Sequence, residues 1–266
     1  NLECLGNVNM LKGGLYNATK ITTVSPTYAD EIRQPGGGCG LEDLMRFKGG
    51  DMFPILNGID TKEWDPATEK ILPANFSATD LSGKAACKLE LQKTFGLEQN
   101  SKVPVFGFFS RHTHQKGIDM LCEIVDRVMA EMQVQIVFLG KGQSEYQEMA
   151  QRCAERHPGR VATHIGDDLR RMKLLYAGSD SLILPSRFEP CGLAQMYAMR
   201  YGTLPLVRAT GGLKDTVSQY NEKTGAGTGF MFEEASANAL YYTLGWACST
   251  WYDRPKHWKK LQVNAM

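Results

Sequence analysis

From residue 81 onward the hydrophobic and polar positions settle into a regular alternation. The apolar runs Val103 to Phe109, Val134 to Leu139, Val161 to Ile165, Asp180 to Leu184, Thr203 to Val207 and Gly229 to Phe232 have the length and residue types of buried strands. Between most of them the apolar positions recur at helical spacing, and another helix is predicted to follow Asp80 and run to Phe95. Strands alternating with crossover helices predict an α/β fold, a doubly wound parallel sheet covered on both faces.

The first eighty residues are less regular. Leu2, Leu5, Val8 and Leu11 predict a helix within residues 1–17, Lys20 to Ser25 a strand, and Thr27 to Arg33 a second helix opened by Pro26. The run Pro35-Gly-Gly-Gly-Cys-Gly40 reads as a connector, because no Lys-Ser/Thr pair follows to make it a phosphate loop. A short helix from Leu41 should lead into a strand at Met52 to Leu56. From Thr61 to Asp80 the composition turns to Pro, Thr, Asp and Asn, which predicts a linker or surface excursion.

Composition narrows the chemistry. With 30 basic and 29 acidic residues the formal charge is +1, which gives no footprint for nucleic acid. No run has the length of a membrane span. The 7 cysteines form no C-x-x-C pair, as expected of reduced thiols, and the 5 histidines form no zinc motif, so neither a metal nor a cofactor is expected. Arg254 to Lys260 reads as a solvated helix face. The chain starts at Asn1 without an initiator methionine and so reads as a fragment.

In doubly wound sheets ligands bind beyond the carboxyl ends of the strands, so the loops after the strands carry the candidate chemistry. After Phe109, Arg111 offers a planar fork for phosphate oxygens, Lys116 a point charge, and Gly117 a close backbone approach. Taken alone, the same loop reads as two solvated cations, with His112 and His114 as plain loop residues. After Leu139, Gly140-Lys-Gly-Gln-Ser-Glu145 lacks the third glycine of a dinucleotide fingerprint and reads instead as a turn against which a ribose or base could lie. After Leu184 comes Pro185-Ser-Arg-Phe-Glu-Pro-Cys-Gly-Leu193, then a helix. Its start offers amides for an anion at Cys191, Gly192, Leu193 and Ala194, with Glu189 just ahead, a pairing suited to a sugar on a phosphate. An ordinary β-α connection with one acidic residue fits that segment as well. Arg208-Ala-Thr-Gly-Gly-Leu213, with Thr210 and Gly211, could line the same cleft. Cys191 counts first as a backbone donor and second as a thiol.

Taken together, the motifs Thr23-Val-Ser-Pro-Thr-Tyr-Ala-Asp-Glu-Ile32, Leu56-Asn-Gly-Ile-Asp60, Ser110-Arg-x-x-x-Gln-Lys-Gly117, Pro185 to Leu193, and Tyr201 to Val207 with Thr210 to Thr216 resemble the bacterial glycogen synthase and starch synthase family. The resemblance implies a GT-B architecture, two Rossmann-like domains facing across a cleft. The implied activity is retaining transfer of glucose from ADP-glucose to the non-reducing end of an α-1,4-glucan. It places Arg111 and Lys116 on the donor diphosphate, Glu189 against the donor glucose as the catalytic residue, and the amides of Cys191 to Ala194 on phosphate; Thr210 and Gly211, from the turn after the next strand, are expected on the substrate as well. Residues 1–50 would then end the N-terminal, acceptor-side domain, and residues 51–266 would form the nucleotide-sugar-binding domain without its closing helix.

The family's Lys-x-Gly-Gly-Leu donor loop and active-site histidine would lie outside this sequence. Lys12-Gly-Gly-Leu15 stands too close to Thr23-Val-Ser-Pro26 to be that loop. Gly166-Asp-Asp168 stands where some members place an aromatic residue against the adenine. The motifs leave a plastid and the cytoplasm of a bacterium equally open, the cysteines and the fragment reading lean towards a plastid, and a monomer with no membrane or nucleic-acid partner is expected. A catalytically inactive, glucan-associated scaffold is the alternative.

Overall fold

The structure is a computed structural model, and residues 2–266 are described. The chain opens with a hairpin, β1 (Glu3–Cys4) against β2 (Asn7–Val8), where a helix was expected. Leu5 and Gly6, both at positive φ, turn the chain back before any helical turn can close. Helix α1 (Met10–Asn17) starts only at the Asn9 cap. Strand β3 (Ile21–Thr23), α2 (Pro26–Glu31), α3 (Glu42–Lys48) and β4 (Met52–Pro54) follow. The pairing of β4 with β3 is parallel, so the segment from Met52 packs with the first fifty residues, around Ile21, Ile32, Leu41 and Met52. Lys48 Nζ donates to Tyr16 O and Ala18 O and holds the carbonyl end of α1 to α3.

The excursion expected at residues 61–80 is a packed strap. Trp64, Leu72 and Phe76 are buried, and Trp64 stacks on Tyr197 with ring centroids 3.8 Å apart. Its polar composition led the sequence reading to a linker, but Glu69 pairs with Lys173 and Asp65 pairs with Arg200 at 3.0 Å, so its charges face the domain it crosses.

The sheet domain runs α4 (Ser82–Thr94), β5 (Val105–Phe109), α5 (Ile118–Glu131), β6 (Gln135–Gly140), α6 (Ser144–Arg156), β7 (Val161–Ile165), α7 (Leu169–Gly178), β8 (Ser181–Leu184), α8 (Ala194–Arg200), β9 (Leu204–Arg208), α9 (Gly211–Thr216), β10 (Phe230–Phe232), α10 (Ala237–Asp253) and α11 (Pro255–Ala265). Its six strands lie in the order β10-β9-β8-β5-β6-β7, all pairs parallel. The expected strands are all present, and the fold is the expected doubly wound α/β sheet.

Alternation along the strands divides the core. Phe106, Phe108, Ile136 and Phe138 face α5, α6, α10 and α11, while Val105, Val137 and Leu139 face α4, α7, α8 and α9. Each fully buried phenylalanine contributes about 2 kcal/mol by leaving water. The strand order reverses between β5 and β8, and the crevice beyond their carboxyl ends is where such sheets take ligands.

Candidate active site

Two loops leave the sheet at this switch point. One follows β5 and carries Arg111 and Lys116, and the other follows β8 and carries Glu189. They are stitched together: Arg187 N donates to Gln115 O at 2.8 Å, and the Arg187 guanidinium grips both oxygens of Asp119 at 2.8 and 2.7 Å. That grip holds the Asp119 carboxyl below its ordinary range even though burial works against it. Gly117, at φ +69°, lies so near Pro185 that a Cβ would stand 2.1 Å from its carbonyl oxygen, so only glycine fits there.

The loops enclose a cavity of about 460 Å³ lined by Arg111, Lys116, Glu189, Gly192, Leu193 and Ala194, with Gly140, Lys141, Asp167 and Gln195 among the other walls. Lys116 Nζ meets Glu189 Oε2 at 2.5 Å, and Ser186 Oγ donates to the same oxygen at 3.1 Å. Glu189 is 9% exposed, and among the described residues its Oε1 has no hydrogen bond. Gln195 Nε2 donates to Cys191 O at 2.9 Å and to Gly192 O at 3.1 Å, and its Oε1 is buried without a partner. The Arg111 side chain is exposed, and no ion pair holds it among the described residues. The arrangement combines cations for an anion with a carboxylate oriented through one oxygen, the other being free to take a hydroxyl group.

Three expected site residues do not line this cavity. The Cys191 thiol is buried, and burial pushes its pKa up, with the Asn57 backbone pulling weakly the other way. Thr210 Oγ1 and Gly211 N donate to Glu31 Oε1 at 2.8 and 2.9 Å, so the start of α9 is already occupied by a carboxylate of the chain. The glycines after β6 serve packing: a Cβ on Gly140 would stand 2.0 Å from Ser110 O, and one on Gly142 2.1 Å from His112 O. His112 is fully buried between these two loops. Neither of its ring nitrogens has a well-formed hydrogen bond, and burial pushes its pKa down to about 4, with the Leu139 carbonyl opposing weakly. Asp168 caps α7 by accepting from Arg171 N at 2.9 Å, whereas Asp167 pairs with Lys141 at the cavity rim.

The sequence sets Lys116 and Glu189 at the phosphate and sugar ends of a donor and carries no sign of their direct pair. Nor does it point to Glu31 or Gln195. Residue spacing carries no sign of Glu31, which meets Thr210 across 179 positions.

A wider groove of about 850 Å³, with Trp251, Tyr252 and Trp258 in its walls, lies beside Ser101 and Lys102 at the amino end of β5, away from the switch point. Among the described residues no cluster of three or more His, Cys, Asp or Glu could hold a metal ion, and no helix is long and apolar enough to cross a membrane.

A doubly wound sheet with paired cations and a half-engaged carboxylate at its switch point points to the glycosyltransferase class. Residues 92–260 match the family model described as Glycosyl transferases group 1, and the chain belongs to that family. Residues 1–47 match the model described as Starch synthase catalytic domain. The chain is 46% identical over 265 residues to glycogen synthase 1 of Geobacter metallireducens, covering 100% of this chain and 53% of that protein. It is 44% identical over 259 residues to glycogen synthase of Streptococcus agalactiae, covering 97% of this chain and 54% of the relative. The catalytic domain of starch synthase IV from Arabidopsis thaliana, solved bound to ADP and acarbose, superposes with a TM-score of 0.91 at 36% identity, covering 97% of this chain and 54% of that one. The chain thus spans about half the length of the curated relatives it matches.

Proposed function

We propose that this chain is the donor-binding half of a retaining glucosyltransferase that moves glucose from ADP-glucose to the non-reducing end of an α-1,4-glucan. The observation that carries the reading is the Lys116–Glu189 pair facing Arg111 across the switch-point cavity. Arg111 grips the diphosphate with its fork, and Lys116 shares its protons between Glu189 Oε2 and a phosphate oxygen. As the glucose–phosphate bond breaks, charge grows on the departing diphosphate, and these fixed cations stabilise it. Amides at the start of α8, from Gly192 to Ala194, add dipoles of the same sign. Glu189, with Oε1 unengaged, faces the donor glucose.

ADP in the Arabidopsis structure supports an adenine donor, and its acarbose supports a glucan acceptor. Residues 1–50 are proposed as the end of the acceptor-side domain. The compartment is proposed as a plastid by likeness to the Arabidopsis protein, or as the cytoplasm for a bacterial source, as the bacterial relatives support. The assembly state is proposed as monomeric. An inactive scaffold fits less well, since it has no use for an oriented carboxylate between two cations.

Calorimetric titration with ADP tests the reading. The wild-type chain binds, and Arg111→Ala or Lys116→Ala weakens binding about ten- to a hundredfold, the loss of one charge-assisted contact. No binding by the wild type, or equal binding by both variants, overturns it.

A further inference from the structure

The loop that carries Glu189 is held in place from a remote part of the chain. Gly212 N, in the first turn of α9, donates to Glu189 O at 3.1 Å and Pro190 O at 3.3 Å, and Ser25 Oγ donates to Pro190 O at 2.6 Å. The start of α9 presses on that loop: a Cβ on Gly211 would stand 1.8 Å from Glu189 O, and one on Gly212 2.3 Å from Cys191 O. A shift of α9 therefore shifts Glu189.

What fixes the start of α9 is Glu31, through Thr210 Oγ1 at 2.8 Å and Gly211 N at 2.9 Å. The arrangement is reciprocal. Asp215 on α9 accepts from Thr27 N at 2.9 Å and Thr27 Oγ1 at 2.6 Å, at the first turn of α2. An acid near the end of a helix opposes that helix's own dipole. Glu31 closes α2 and Asp215 nearly closes α9, so neither position favours its own helix, and each acid instead serves the amides of its partner.

We infer that Glu31 is a positioning residue for the catalytic loop. By capping α9 across the chain it sets where Glu189 and the turn at Gly192 stand relative to Lys116 and Arg111. Small displacements of such groups cost much activity, so a clamp of charge-assisted bonds has a functional use. The inference rests on the donor-site reading above.

Two measurements on the 266-residue chain test it, amide hydrogen exchange without ligand and calorimetric titration with ADP. Glu31→Ala should speed exchange at Gly211 and Gly212 and weaken ADP binding, each about tenfold, while exchange in α5 and β6 stays unchanged. Glu31→Gln keeps an oxygen for both bonds and should restore both readings to within about threefold. If Glu31→Ala fails to fold, Thr210→Val removes one of the two bonds and replaces it, with a smaller effect in the same direction. Unchanged exchange at Gly212 overturns the clamp. Faster exchange with unchanged ADP affinity, or a glutamine variant as weak as alanine, overturns the positioning role. A wild type that binds no ADP overturns the donor-site reading instead, and exchange alone then decides whether the clamp exists.

Discussion

Two of the lysines in this domain, Lys84 and Lys116, lie at opposite ends of the sheet and differ in what surrounds them. At the amino end, Lys84 Nζ donates to Ala177 O at 2.8 Å, Tyr201 O at 3.0 Å and Thr203 Oγ1 at 2.8 Å, one acceptor for each proton. Beside it Lys88 pairs with Asp180 at 2.8 Å, and the Asp180 oxygens also take Val105 N at 2.8 Å and Trp251 Nε1 at 3.3 Å. At the carboxyl end, Lys116 engages one oxygen of Glu189 and leaves the other unbonded. A polar network whose members are all satisfied holds strands and helices together, whereas one with open valences waits for a ligand.

The sharpest way to break this contrast is Lys84→Ala. It strands three buried acceptors and should lower stability in urea unfolding by about 3 kcal/mol, while the chain that remains folded binds ADP as the wild type does. A loss below about 1 kcal/mol would remove the amino-end network from the list of structural supports.

His112 sharpens the comparison, because it is a polar residue of the carboxyl end that is closed off instead of open. Its folded pKa of about 4 lies below the ordinary value of 6.5, so its contribution is complete above about pH 6.5 and is lost as pH falls towards 4. His112→Leu should therefore make the chain more resistant to acid, by about 2–3 kcal/mol relative to wild type at pH 4, with little difference at pH 7. Parallel acid titrations of the two proteins, followed by tryptophan fluorescence, check this; superimposed curves refute it.

The smallest effect belongs to the exposed Lys141–Asp167 pair at the rim. Lys141→Ala should change stability by less than about 0.5 kcal/mol, since solvent screens such pairs. A thermal melt matching wild type within a degree or two is the expected outcome.

Much of this was legible in the chain. Runs such as Val134 to Leu139 announce buried strands because both faces of a covered parallel sheet are apolar, and the loops that follow them fall at the crevice by topology. What escaped were features decided by tertiary partners. Trp64 and Phe76 sit in a polar stretch whose docking depends on α7 and α8, and His112 looks solvated until the loop at Gly142 closes over it. Lys116 and Glu189 stand 73 positions apart, and only the reversal of strand order at β5 and β8 brings their loops together.

That reversal also governs when the site can exist during folding. The hydrogen bond from Val105 to Asp180 spans 75 positions, and the β5–β8 pairing beside it closes a loop that holds β6, β7 and their helices. Closure of so long a loop comes at an entropic cost that local contacts do not repay. Helices such as α5 can therefore form early, but the cavity is a late product of folding, and ligand-binding competence should return after most of the secondary structure has already recovered.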